Sequence, residues 1–546
     1  VDYPTTQCVV DEGMDAASVH SDCIGKWDEV VCEFSISIPD ANLRAAVCSA
    51  LVSSIGLPAN CPVITNIDML SLTSLSASSV DTFEGLSCAT ELASLTIDGT
   101  STSDLEIDST EIGHLPTSSL STLYLQNIVL SEDVSLSAFT MLTKLDLRNT
   151  GLTDSHSVLG SLSGVEEQLV ELTLRDNIIS DISALSGMAN LTYLHLYNNQ
   201  ISDVSPLESL VNLTTLELGS NQISAIDSLS NMEELVYLYL YYNNISDISA
   251  LSGMEELVRL DLYHNYIFDI SPLSGMSTLT TLYLYSNQIS DISALSELTK
   301  LTTLALNSNQ ISDISHLLSL TKLTYLHLCF NEIDSIDSLV DMIDLQFLYL
   351  CYNDISDISA LSGMSNLTTL SLYSNSISDV SPLVNITNLT YLHLGHNQIS
   401  SISSLSNMLQ LTELYLYYNN ISDISALSGM EELVRLELQV NNISDISYLN
   451  SLTKLTYLHL AYNEIASIDS LINMISLQYL YLYNNNISDI SALSGMINLT
   501  TLSLYSNSIS DVSPLVNITN LTYLHLGHNQ ISSISSLSNM LQLTEF

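Results

Sequence analysis

The sequence predicts an α/β solenoid: a right-handed curved stack of short parallel strands, with turns or 3-10 segments on the convex side and a helical, disulfide-containing N-terminal cap. Three observations predict it. Asn recurs every 22 residues without a gap, 17 times from Asn177 to Asn529, and self-similarity at such a period marks stacked supersecondary units. The copies share an alternating core, as in Leu194-His195-Leu196, where two inward Leu flank an outward residue and mark a short strand. At 546 residues a globular chain would be several domains, whereas a solenoid grows by length as a single stack.

One repeat shows the logic of all. In Leu191 to Leu207, Leu191, Leu194 and Leu196 face inward, and Ile201, Val204 and Leu207 cross back beneath the strand to fill the core. Asn199 closes the turn after the strand. Its amide donates and accepts at once, so a column of such residues can satisfy the backbone groups of neighbouring turns. No repeat buries its apolar side alone, so the array is stable only as a stack.

Taken in order, residues 1–65 lack the repeat and read as a cysteine-rich cap over the open end of the core, 66–171 as irregular repeats, and 172–546 as regular repeats with no C-terminal cap. Pro39 to Leu51 carries apolar residues at helical spacing behind a Pro-Asp start, which predicts one amphipathic helix of about three turns. Six of the eight cysteines, Cys8, Cys23, Cys32, Cys48, Cys61 and Cys88, crowd into the first 88 residues, one pair bracketing the only Trp, Trp27. An even cluster of this kind reads as disulfides and an oxidising, extracellular setting, with the pairing left open. The irregular repeats are expected to place strand cores at Leu70/Leu72, Leu95/Ile97, Leu123/Leu125, Leu145/Leu147 and Leu172/Leu174. Residues 321–375 and 374–411 recur nearly unchanged 132 residues later, which favours a part whose length matters.

The repeated pattern L-x-x-L-x-L-x-x-N-x-I/L resembles that of leucine-rich repeats. The form Asn-x-Ile-Ser-Asp-Ile-Ser-x-Leu, with Ile38 to Leu43 and Ile64 to Leu70 at the junction, resembles the internalin-type bacterial surface members. Cys23 to Cys32 is faintly similar to the cap of plant extracellular repeats. The resemblance covers nearly the whole chain. It implies an extracellular recognition, adhesion or scaffold role and names no partner.

Charge narrows the partners. With 60 Asp and Glu against 10 Lys and Arg, the net charge of −50 excludes nucleic acid and anionic membrane. No apolar run approaches the roughly 20 residues of a membrane span. No phosphate loop, HExxH or nucleophile elbow is present, so no enzyme is expected. The expected function is recognition or adhesion through a Tyr-rich concave face, because the outward columns hold 24 of the 28 Tyr. They include Tyr193, His195, Tyr197, Tyr237, Tyr239, Tyr241, Tyr283, Tyr285, Tyr349, Tyr415, Tyr417, Tyr481 and Tyr483. Tyr offers large contact area and a hydroxyl at low entropic cost; its strand propensity alone is the plainer explanation. The alternatives are a structural subunit of a fibre or coat assembling end to end, and an intracellular regulatory scaffold. The partner is then a protein or glycan on a cell surface, or a second copy meeting the uncapped end at Phe546.

Four smaller expectations complete the reading. Asp follows the repeated Asn by four residues in most repeats, for example Asp247, Asp269, Asp291 and Asp313. It reads as a turn starter, or as a weak, non-specific Ca²⁺ ladder, with no other cofactor expected. His393 with His396, and His525 with His528, are faint metal candidates. Twelve Asn-x-Ser/Thr sequons, at Asn190, Asn212, Asn244, Asn366, Asn385, Asn388, Asn420, Asn442, Asn486, Asn498, Asn517 and Asn520, are candidate glycosylation sites. Cys329 and Cys351 lie one repeat apart in the same column, which suits a cross-strand disulfide.

Overall fold

The computed structural model describes residues 36–55, 63–99 and 106–545. The chain divides into two compact units, Val1–Tyr266 and Ile267–Phe546.

The first unit opens with the helix Ala41–Ile55, which buries Leu43, Val47 and Leu51 against the strand Ser74–Ser78. Asp40 starts it. One carboxylate oxygen accepts the Leu43 N–H at 2.6 Å and the other the Asp81 N–H at 2.8 Å, so a single side chain caps the helix and ties it to the first repeat. Cys48 and Cys88 each take part in a disulfide. Cys8, Cys23, Cys32, Cys61 and Trp27 lie outside the described residues.

The first strand differs from expectation. Thr65 and Asp68 form a reciprocal capping box that winds Asn66–Met69 into a helical turn, leaving Leu70 46% exposed at its end. The strand core is therefore Leu75 and Ala77, not Leu70 and Leu72, although Leu72 is buried. A short apolar run gives no periodicity that separates helix from strand, and the local capping hydrogen bonds decide.

From there each repeat gives a three- to five-residue strand: Ser94–Asp98, Thr122–Gln126, Lys144–Asp146, Glu171–Thr173 and Tyr193–His195 onward to Arg259–Asp261 in the first unit, and Thr281–Tyr283 to Tyr523–His525 in the second. Pairing within each unit is parallel and in register, Leu194 facing Leu216 and Leu392 facing Leu414. A separate parallel pair joins Glu106–Ile107 to Val129–Leu130. On the return side a short 3-10 turn such as Ser205–Leu207 presents Leu207 to the core. Up to Leu526 the repeats bury the Leu, Ile and Val of the pattern almost completely, whereas Ile534 in the last copy is 53% exposed; a Met, Leu or Ile after the 3-10 turn, such as Leu210, Met232 or Ile386, joins the core.

The repeated Asn is the joint between turns. Asn353 Oδ1 accepts the Ile333 N–H of the preceding repeat at 3.0 Å, while its Nδ2 donates to Leu328 O and Leu350 O at 3.0 and 3.1 Å. Ile333 is fully buried, so no water can replace the amide.

The residue before that Asn has a left-handed backbone in all 17 regular turns, from Asp176 to His528, and none of the 17 is Gly. The N–H there still bonds the next strand's carbonyl, as Tyr242 does to Tyr263 at 3.0 Å, while the reversed φ turns the following Asn inward. A non-glycine residue in this region costs on the order of 1–3 kcal/mol. Asn and Ser fill many copies, but Tyr242, Phe330, Tyr352, His396, Tyr418, Val440 and Tyr462 stand there too. For the aromatic ones a ring pair returns roughly 0.5–1.5 kcal/mol, which offsets part of that cost.

Two measurements follow. Asn353→Ala strands the Ile333 N–H and is expected to cost about 3 kcal/mol, seen as a lower urea midpoint, whereas the exposed neighbour change Asp354→Ala stays within about 0.5 kcal/mol. Val440→Asn, which replaces a β-branched residue at φ 57° with the type native at Asn198 and Asn484, is expected to stabilise by about 1 kcal/mol. A midpoint that moves down instead would show that Val440 is not strained.

Candidate recognition surface

Strand alternation sends the predicted Tyr and His residues to the face opposite the core. The 22-residue register sets each against its counterpart in the next strand, Tyr325 beside Phe347 and His327 beside Tyr349. Because parallel strands lie ~4.8 Å apart, neighbouring rings touch. Tyr241 and Tyr263 stack at 4.7 Å between ring centres, Tyr373 and His393 at 4.6 Å, and Tyr457 and Tyr481 tilt together at 5.6 Å.

Small residues make room for the large ones. A side-chain carbon added to Gly219 would sit 2.5 Å from the Tyr241 ring, and one added to Gly395 would sit 3.1 Å from the Tyr417 ring. Each ring therefore leans over the glycine of the preceding strand.

Polar groups on this face are paired among themselves. Tyr241 donates to Glu217 Oε1 at 2.9 Å, and His195 Nε2 approaches Glu217 Oε2 to 3.0 Å without hydrogen-bond alignment. Burial and the Glu217 carboxylate push the Tyr241 hydroxyl far above its ordinary range. Arg259 forks onto Asp261 at 3.0 and 2.9 Å, and Arg435 pairs with Glu437 while its guanidinium lies 3.8 Å over the Tyr457 ring. Burial pushes the Asp261 carboxyl up against the pull of Arg259. The face thus offers phenols, imidazoles and already neutralised ion pairs.

His327, His393 and His459 are wrapped by phenols. His393 sits within 3.1 Å of the Tyr417 hydroxyl and packs on Tyr373, Tyr391 and Tyr415. Burial lowers all three imidazoles to about 4, with His396 adding to the effect at His393 and Arg435 at His459. They are neutral contact groups at physiological pH. His393 and His396 belong to one aromatic cluster around Tyr373, and no group of three metal-capable side chains occurs among the described residues.

The remaining expected sites are placed as follows. Asp247, Asp269, Asp291 and Asp313 each accept the backbone N–H of the Ser two residues on, at 2.8 Å, and so cap the 3-10 turns. These bonds hold the Asp247, Asp291 and Asp313 carboxyls below their usual range. Asn190, Asn212, Asn366, Asn388, Asn498 and Asn520 donate their amides to a backbone carbonyl of the preceding repeat, forming a second, exposed ladder. Asn244, Asn385, Asn420, Asn442, Asn486 and Asn517 are exposed. Cys329 and Cys351 are joined by a disulfide across adjacent strands, Cα atoms 4.5 Å apart. The left-handed column, with His264 and Phe330 as well as Tyr242, Tyr352 and Tyr418, went unrecognised as a distinct edge. The recurrence of Asn, Ser and His there was its signal.

Within each unit the repeats stack into a parallel sheet with an aromatic outer face. A family model described as leucine-rich repeats in two copies matches twelve overlapping stretches between residues 167 and 539, and a second, leucine-rich repeat, matches 211–267. The chain belongs to the leucine-rich-repeat family. It is similar to an internalin (inlF) of Listeria monocytogenes, 29% identical over 79% of this chain and 96% of the internalin, TM-score 0.51, in keeping with its internalin-type repeats. The fold also matches the plant peptide hormone receptor RGFR1 in complex with RGF2, 24% identical over 87% and 89% of the two chains, TM-score 0.67. The Arabidopsis receptor kinase HAESA ectodomain with its peptide hormone ligand matches at 21% over 92% and 93%, TM-score 0.70. A search of curated protein sequences finds no match.

The buried histidines give a pH signature. An unfolded imidazole takes up a proton near 6.5 and the folded ones only near 4. The unfolded state therefore binds more protons between those values, and stability falls as pH drops through that window. Replacing His327, His393 and His459 together with Gln is expected to flatten the fall between pH 6.5 and 4 relative to the native chain, read as the difference in melting temperature at each pH. An unchanged difference would mean that these imidazoles titrate normally.

Proposed function

We propose that this protein is a non-enzymatic recognition scaffold acting outside the cell, binding a protein partner across the Tyr and His columns of its strand face. The observations that carry the reading are the recurring clusters of half-exposed phenols held in place by stacking and by neighbouring ion pairs. Such side chains lose little freedom on binding, and rigid aromatic anchors dominate interface energies. The likeness in fold to peptide-hormone receptor ectodomains supports a partner of polypeptide chemistry.

The exposed sequons are glycan sites in this reading. Divalent cations act only as counter-ions to the Asp column, since one carboxylate oxygen of each is held by backbone.

The test uses replacements the chain already tolerates: Ser371 and Ser503 occupy the column of Tyr415, and Thr369 and Thr501 that of Tyr457. Tyr415→Ser with Tyr457→Thr is expected to weaken binding of the full chain to partner-bearing cells about tenfold or more, with melting little changed. Equal binding by native and variant chains would remove the strand face from the mechanism. Concentration-dependent filaments without cell binding would favour the structural-subunit reading.

A further inference from the structure

The left-handed column builds a second surface, off the strand face. His396 and Tyr418 lie at φ 51° and 53° and stack 4.1 Å apart with 18° between their planes. Tyr418 is 49% exposed. Their stacking offsets part of what the left-handed backbone costs. Neighbours on the same column are smaller, Ser374 on one side and Val440 on the other, which leaves the outer face of the stacked pair accessible. The result is an open cleft of about 410 Å³, within the range of about 300–1,000 Å³ typical of small-ligand sites.

Its chemistry is selective by what it contains. In a chain with 60 acidic residues, no carboxylate, Lys or Arg lines the cleft. Burial holds the His396 imidazole below its usual range, so it adds no charge at neutral pH. Asn420 lines it and is exposed, with no hydrogen bond from its side-chain amide to the protein, and Gln398 is exposed on the same column. An anionic ligand would find no cation here and a cationic ligand no carboxylate. Flat rings beside free amides suit a pyranose, whose C–H face lies on an aromatic ring while its hydroxyls exchange hydrogen bonds with amides. The arrangement recurs at Tyr242 and His264, stacked at 4.3 Å, with Asn244 exposed beside them.

We infer that the His396–Tyr418 cleft binds a neutral saccharide, one pyranose ring lying against the aromatic pair and the side-chain amides of Asn420 and Gln398 meeting its hydroxyls. The saccharide comes either from a separate glycan or from one attached to Asn420 itself, which begins the sequon Asn420-Ile421-Ser422. Both sources present the same chemistry.

The full chain is secreted to a bacterial periplasm, where it carries no N-glycan, and titrated with neutral trisaccharides of N-acetylglucosamine, mannose and glucose by saturation-transfer NMR and calorimetry. At least one is expected to bind with Kd of about 1 mM or tighter, and Tyr418→Ser, the residue type native at Ser374, to weaken it about tenfold. Asn420→Ala is a second probe at an exposed position, with the same expected direction. Tyr415→Ser on the strand face should leave sugar binding unchanged, which separates this site from the recognition surface. No binding by any of the three sugars, or native affinity in Tyr418→Ser, would overturn the assignment. A second preparation comes from a glycosylating secretory host. If Asn420 carries a glycan there, free sugar should bind only after the glycan is trimmed, identifying the chain's own glycan as occupant; unchanged binding with the glycan in place would refute the site. If Asn420 is bare, sugar binding as in the first preparation identifies a separate glycan.

Discussion

Everything in this structure hangs on a hydrogen bond made by an amide that reaches backwards. Each repeated Asn accepts a buried N–H from the preceding repeat and donates to one carbonyl of that repeat and one of its own, as Asn199 does for Ile179, Leu174 and Leu196. No other side chain of that size can donate and accept from one planar group. Stability is therefore a matter of nearest neighbours, and a repeat is only as good as the copy before it. The outward side chains contribute nothing to this joint, so they are free to vary from Tyr to Thr to Gly while the turn beneath them stays the same.

That freedom has one limit, the left-handed residue immediately before the Asn. The turn needs φ near +55° to send the amide inward, and the chain meets the need without a single glycine. Asn198 and Asn484 suit the conformation, whereas Phe330 and Val440 do not. Aromatics there place large rings on an exposed edge at some cost in backbone strain.

Much of this was legible in the sequence because it is periodic. The spacing of Asn177 to Asn529 gave the stack, the alternation at Leu194-His195-Leu196 gave the strand and its outward face, and Asp40 announced the helix that follows. Legibility ended where periodicity did. At Thr65 to Leu70 a local capping box won over strand pattern, and nothing in an apolar pair such as Leu70/Leu72 reveals which hydrogen bonds its neighbours will make. The candidate surface was visible as a composition of columns but not as geometry. That His393 is enclosed by four tyrosines, or that Gly219 makes room for Tyr241, depends on which ring leans over which neighbour. The left-handed edge was hidden for a different reason: backbone sign is not written in residues that can adopt either.

The charge of −50 takes its meaning from where the acids stand. On the strand face, Asp146, Asp261 and Glu437 are nearly buried and each holds an Arg two residues away. Arg148, Arg259 and Arg435, three of the ten basic residues of the chain, thereby cancel charge on the strand face. The Asp column, by contrast, lies exposed at the 3-10 turns, where its carboxylates meet backbone N–H groups and solvent. Repulsion between copies is thus strongest at the flanks and weakest across the aromatic face. The rings of the strand face lie beside acids that are largely paired, while the Asp column carries its charge at the turns.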